Sequence, residues 1–169
     1  MRLIGFAMVI ISSFTFGLNF TLSKKERIAN LSSFVYMLEI IRAEITTNLC
    51  SVPAAIERAE LKVNGIALCF IKLLKINLYV LGEKSFSTIW KESFYACSAT
   101  VSENESISIS ALGDVLGRYG VDTQEQALDE CIFLLRESEK KAACEFPQFK
   151  RLSLGVSVTA GMILGIFLI

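Results

Sequence analysis

The chain has 169 residues, with 17 basic and 17 acidic side chains, 53% hydrophobic content and only 20% charged. That balance is too apolar for an ordinary soluble domain, and zero net charge argues against a nucleic-acid footprint. The sequence contains no histidine, which removes Ser-His, Cys-His and His-ligated metal chemistry.

The apolar excess sits at the two ends. Leu3 to Phe20 and Leu152 to Ile169 each run 18 residues without Asp, Glu, Lys or Arg. As helices they are about 27 Å long, which reaches across a thin hydrocarbon core. The first stretch reads as a retained anchor rather than a cleaved leader. Only Arg2 precedes it, no A-x-A-like site follows, and Lys24, Lys25 and Arg27 come directly after. The expected division is an amino-terminal transmembrane anchor over 1–22, a helical domain over 24–149 and a carboxyl-terminal transmembrane anchor over 150–169. Lys24, Lys25, Arg27, Lys140, Lys141, Lys150 and Arg151 lie on the domain side. The positive-inside rule therefore predicts a cytoplasmic central domain in the cell membrane, with both termini outside. Five widely spaced cysteines, mostly in apolar helical stretches, read as reduced core residues.

Helical spacing recurs along the middle, and no segment alternates as a half-buried strand does. From about Lys25 to Asn48 the apolar residues Leu31, Phe34, Leu38, Ile41 and Ile45 form one stripe, with Arg42 and Glu44 off it. Neither proline nor glycine separates this helix from the first anchor, and the sequence alone leaves open whether the two are one. Ser51-Val52-Pro53 predicts a short helix with a serine cap, closing at Asn64-Gly65. Ile66 to Leu81 is apolar nearly all round and predicts a central core helix stopping at Gly82. A fourth helix spans about Ser87 to Thr100, with Trp90, Phe94 and Tyr95. Ser102 to Ser106 reads as a polar loop, and a fifth helix runs from about Ile107 to Tyr119 and closes at Gly120. Thr123 and Gln126 fit a capping box opening a helix to about Phe146, and Pro147 predicts a break or kink before the second anchor. The fold class is all-α: about five or six cytoplasmic helices between two transmembrane helices.

The catalytic inventory is thin. There is no C-x-x-C and no G-x-x-x-x-G-K-[ST], so no thiolate zinc site, thioredoxin-like motif or P-loop is expected. Gly113, Gly117 and Gly120 lack a preceding strand and suit helix packing plus a cap better than a phosphate loop. No cofactor and no enzymatic activity are expected. The apolar ends carry the more specific pattern. Ser153, Ser157, Gly161 and Gly165 stand at four-residue spacing, and Gly5, Ser13 and Gly17 share a similar register. Such small-residue faces let membrane helices pack closely, against each other or in a homo-oligomer.

The order of these features resembles the stage III sporulation protein AB family of endospore-forming bacteria, over nearly the whole length. The resemblance rests on the short anchor with its basic follow-up and on Ile41-Arg42-Ala43-Glu44-Ile45, similar to the family's L-E-x-E-I. It continues with Val52-Pro53-Ala54-Ala55-Ile56, like P-L-x-E-A-L, and with Leu116-Gly117 leading to Asp122 and Gln126. Lys150-Arg151-Leu152-Ser153-Leu154-Gly155 then opens the terminal anchor. Arg42 stands where the family favours glutamate, and Ala54-Ala55 lacks its acid, so contacts through those carboxylates are not carried over. The resemblance implies a non-enzymatic membrane platform, similar to that of type II secretion and type IV pilus machines. Its place would be the mother-cell membrane facing the forespore. The implied partners are a cytosolic ATPase, stage III sporulation protein AA, and the other membrane components of the same complex. Exposed polar residues off the stripes, Glu44, Arg118 and Asp122, are the candidate contacts, although each taken singly also reads as a solvated residue or cap. The alternative is an oligomeric channel or transporter subunit. Neither apolar stretch carries the ionisable residues that usually mark an ion path, so a pore would need many copies.

Overall fold

A computed structural model describes the backbone of residues 2–79, 84–97 and 101–168, and the side-chain surroundings of residues 22–79, 84–97 and 101–146. Among the described residues there are six helices and no strand: α1 (Arg2–Thr46), α2 (Val52–Glu60), α3 (Gly65–Leu78), α4 (Phe86–Cys97), α5 (Glu103–Val115) and α6 (Val121–Leu168). Residues up to Ile28 and from Lys140 onward form one compact unit, and Ala29–Glu139 form another. Among the described residues no helix is long and apolar enough to cross a membrane. The stretches 3–20 and 152–169 lie outside the residues whose side chains are described. So do Gly5, Ser13, Gly17, Ser153, Ser157, Gly161 and Gly165.

The stripe on α1 organises the central unit. Leu31, Phe34, Leu38, Ile41 and Ile45 are all buried, as their 3-4-3-4 spacing predicts. α1 is a single helix of 45 residues. Neither proline nor glycine lies between Lys24 and Leu31, so the backbone ladder continues. Opposite Phe34 stand Phe70 of α3 and Phe94 of α4, with ring centroids 6.1 and 5.6 Å away. Phe70 meets Trp90 edge-on at 4.9 Å. Edge-to-face pairs of this kind contribute about 0.5–1.5 kcal/mol each beyond area burial. The Trp90 indole N–H is satisfied by donating to the Ile109 carbonyl on α5 at 2.8 Å.

Several boundaries differ from the sequence reading, each for a local reason. α2 opens as expected, with Ser51 extended at the N-cap and Pro53 in the first turn. It ends at Glu60, however, and Asn64-Gly65 opens α3 instead of closing α2. Gly65 has φ +62°, and Ser33 of α1 donates to the Asn64 carbonyl at 2.7 Å, pinning that turn. Ser102 to Ser106 is the first turn of α5 rather than a loop. The Glu105 carboxylate accepts from the Ser102 N–H at 2.8 Å, satisfying a donor at the helix entry. α5 stops at Val115, since Leu116 is extended and Gly117 adopts φ +76°, a left-handed conformation that favours glycine. Thr123 and Gln126 lie exposed within α6, which already starts at Val121. There the Gln124 side-chain amide donates to the Tyr119 carbonyl at 2.6 Å and closes the turn.

The helix does not stop at Pro147 either. α6 continues through it for 48 residues in all. Proline's fixed φ near −65° is itself helical, so one backbone bond is lost without forcing the chain out of the helix. The cysteines also depart from expectation. Only Cys131 is buried, whereas Cys69 and Cys144 are exposed and Cys50 and Cys97 are half-buried. Cys69 and Cys97 stand off the inward faces of α3 and α4, which are carried by Ala67, Phe70, Ile71 and Leu74 and by Ile89, Trp90 and Phe94.

Gly113 gives a direct check on the α4–α5 crossing. A Cβ there would lie 2.8 Å from two indole atoms of Trp90 and 2.9 Å from its Cβ. Alanine gains about 1 kcal/mol of helix propensity, but overpacking against the root of a buried indole costs about 1–3 kcal/mol. Gly113→Ala is therefore expected to lower the urea midpoint of the full chain. Gly120→Ala, which would meet nothing within 4 Å, should leave it unchanged.

Candidate interaction surface

Two charged networks hold α1 to its neighbours. Arg42 lies 2.7 Å from Glu125 and 2.6 Å from Asp129, one turn apart on α6, and Arg136 pairs with Glu39. These groups are about one-third exposed or more, so each pair contributes at most about 1 kcal/mol. Their main effect is to set the register of α6 on α1, while the apolar stripe supplies the adhesion. Arg42 thus has its own acidic partners, in a segment whose resemblance to the family would favour glutamate.

Glu44 is not a surface residue. It is 6% exposed and accepts from Asn48 Nδ2 at 2.7 Å and Arg58 Nη1 at 2.5 Å, with Lys62 Nζ 3.7 Å away. The reason lies in helical spacing. Met37 and Ile41 are buried, and 44 follows them at i+7 and i+3, so the inward face is wider than the five-residue stripe. α2 then folds back and supplies Arg58. Asn48 first, then Arg58, hold the Glu44 carboxyl below its ordinary range. A carboxylate already engaged by three side chains has little left to offer a partner, which corrects its expected exposure.

Arg118 and Asp122 are exposed, as expected. Arg118 lies in the turn after α5, its guanidinium 5.8 Å from the Tyr119 ring centroid. It lines an open groove of about 570 Å³ together with Val52, Pro53, Phe86, Asp114 and Leu116. Asp114 in that groove pairs with Lys91 at 2.8 Å and accepts from Ser87, and these two, Lys91 first, hold its carboxyl low. Asp122 is not part of this groove. It occupies the first turn of α6, where a negative charge complements the helix amino terminus.

A second groove of about 320 Å³ is more apolar, formed by Ile107, Leu112 and Val115 of α5 with Ala127 and Leu134 of α6. Ile107 and Leu134 are both exposed. Neither groove was legible beforehand, because each is assembled from segments distant in sequence. The exposed apolar residues were the available signal, and singly they carry little information. Among the described residues no group of three or more Cys, Asp or Glu side chains is placed to hold a metal ion.

The depressed carboxyl of Glu44 has a pH consequence whose sign is fixed. Its ordinary value is 4.5 and the folded value lies lower, so its stabilisation is present above about pH 4.5. It is lost as pH falls through the folded value. Glu44→Gln is therefore expected to lower the urea midpoint at pH 7, and the gap from wild type should shrink progressively below pH 4.5. An unchanged gap across that range would assign the loss to packing rather than charge.

The family model described as stage III sporulation protein AB matches residues 2–169. No curated protein and no solved structure matches the chain. The match spans both charge-free stretches as well as the residues between them. The chain belongs to the stage III sporulation protein AB family.

Proposed function

We propose that this protein is a non-enzymatic platform in the mother-cell membrane, part of a secretion-like sporulation complex, and that it couples a cytosolic ATPase to membrane components. The observation that carries this reading is membership of a stage III sporulation family over the whole chain. Two features support it. Each charge-free stretch of the sequence belongs to a helix, α1 or α6, whose backbone continues without interruption into the central unit. Such helices are suited to passing displacement or fixing position along the chain, which a platform requires. The central unit also leaves Arg118 beside an open groove and Asp122 on the first turn of α6.

The ATPase partner would be stage III sporulation protein AA, and the lipid bilayer would hold both ends. The basic residues flanking the charge-free stretches support a cytoplasmic central domain under the positive-inside rule. In-cell crosslinking of a tagged copy during sporulation, followed by mass spectrometry, tests the reading. The expected result is recovery of the ATPase together with the membrane partners. Arg118→Glu combined with Asp122→Lys should reduce ATPase recovery at least about fivefold, as interface charge reversal commonly does. Recovery of self-crosslinked oligomers alone would replace the platform with a pore-forming assembly.

A further inference from the structure

Two cysteines from neighbouring helices meet at the surface of the central unit. Cys69 on α3 and Cys97, the last residue of α4, bring their sulfur atoms to 2.9 Å. Unbonded heavy atoms pack at about 3.5–4.0 Å. A disulfide measures roughly 2.05 Å, so closure asks for a sulfur displacement of about 0.9 Å. The other three thiols sit elsewhere: Cys50 between α1 and α2, Cys131 and Cys144 on α6. Cys69 is exposed and Cys97 half-buried, which separates an accessible thiol from a sheltered one.

We propose that Cys69 and Cys97 form a reversible modification site, a thiol pair that closes into an α3–α4 disulfide when a low-molecular-weight disulfide reaches it. The exposed Cys69, as its thiolate, attacks one sulfur of the small disulfide. That S–S bond breaks, one small thiolate departs, and Cys69 carries a mixed disulfide. Cys97 Sγ then attacks Cys69 Sγ, the second small thiolate leaves, and it takes up the proton that Cys97 loses. Two cysteine thiols are oxidised and one small disulfide is reduced to two thiols. The asymmetry of the pair supports this order. Burial, and then the contact with Cys69, push the Cys97 thiol up to about 12, so Cys97 is the poorer first nucleophile. Within reach of a sulfur already activated by the mixed disulfide, proximity replaces acidity as the driving factor.

The bond would tie α3 to α4 beside the Phe70–Trp90–Phe94 cluster. α3 and α4 are already in contact there, and the cross-link would remove their freedom to separate in the unfolded chain. It adds no covalent tie to α1 or α6.

The test uses the full-length chain in detergent, treated with oxidised glutathione, blocked with N-ethylmaleimide and analysed by mass spectrometry. Two of the five thiols are expected to disappear, with the Cys69 and Cys97 peptides joined and separated again by dithiothreitol. The thermal midpoint should rise by about 5–10 °C on oxidation, an increment absent in Cys69→Ser, whose exposed site tolerates serine. Cys97→Ser should stop at a glutathione adduct on Cys69. A stable glutathione adduct on Cys69 of the wild-type chain, an undiminished thiol count, or preferential linkage of any other pair would overturn the assignment.

Discussion

The Trp90 indole occupies the space that any side chain at position 113 would need, and the packing of the central unit follows from that exclusion. With glycine at 113, α5 comes close enough to α4 for the indole N–H to reach the Ile109 carbonyl, so the one polar atom of the ring is satisfied in the interior. The other face of the indole is then free to take the edge of Phe70, which in turn meets Phe34 and Phe94. A continuous aromatic path thus links α1, α3 and α4, and the indole hydrogen bond ties it to α5. The apolar residues of α6, Leu128, Cys131, Ile132 and Leu135, complete the same core. A larger residue at 113 would displace the indole root, a rigid atom group with nowhere to relax, and the loss would pass along the path.

Much of this was readable from spacing. The α1 stripe, the opening of α2 at Ser51 and the core character of α3 follow from helical periodicity and cap chemistry, whereas the helix end expected at Gly120 falls at Val115, with Gly117 in the left-handed turn. The errors share a physical cause: polar residues that act locally look alike in sequence whether they cap a helix or fill a loop. Ser102 to Ser106 reads as a loop by composition, which does not display that the Glu105 carboxylate turns back to the Ser102 N–H and caps a helix. Asn64-Gly65 suits either end of a helix, and only the Ser33 hydrogen bond decides which. Glu44 looked solvated because the stripe was drawn five residues wide, although Met37 extends it toward position 44. Arg118 and Asp122 are exposed, one in the turn after α5 and the other in the first turn of α6. The grooves depend on contacts between distant segments and had no local signature.

The electrostatics fit a protein that holds and is held. Glu44 and Asp114 are driven toward their charged forms by neighbouring donors and cations, the direction expected of carboxylates that join helices. A general acid near neutral pH needs the opposite shift. Arg42, Arg58 and Arg136 are each engaged with carboxylates of another helix. Arg118, Asp122 and two open grooves face solvent. Under the proposed platform reading, such surfaces are where partners would bind.

The proposed platform depends above all on both ends being held in the membrane with the central unit inside the cell. Alkaline carbonate extraction of cell membranes, combined with labelling of the exposed thiols Cys69 and Cys144 by a membrane-impermeant maleimide, addresses both points together. The account predicts that the full chain stays in the membrane pellet and that these thiols react only after the membrane is permeabilised. Release of the chain into the carbonate supernatant, or labelling in intact cells, would contradict it.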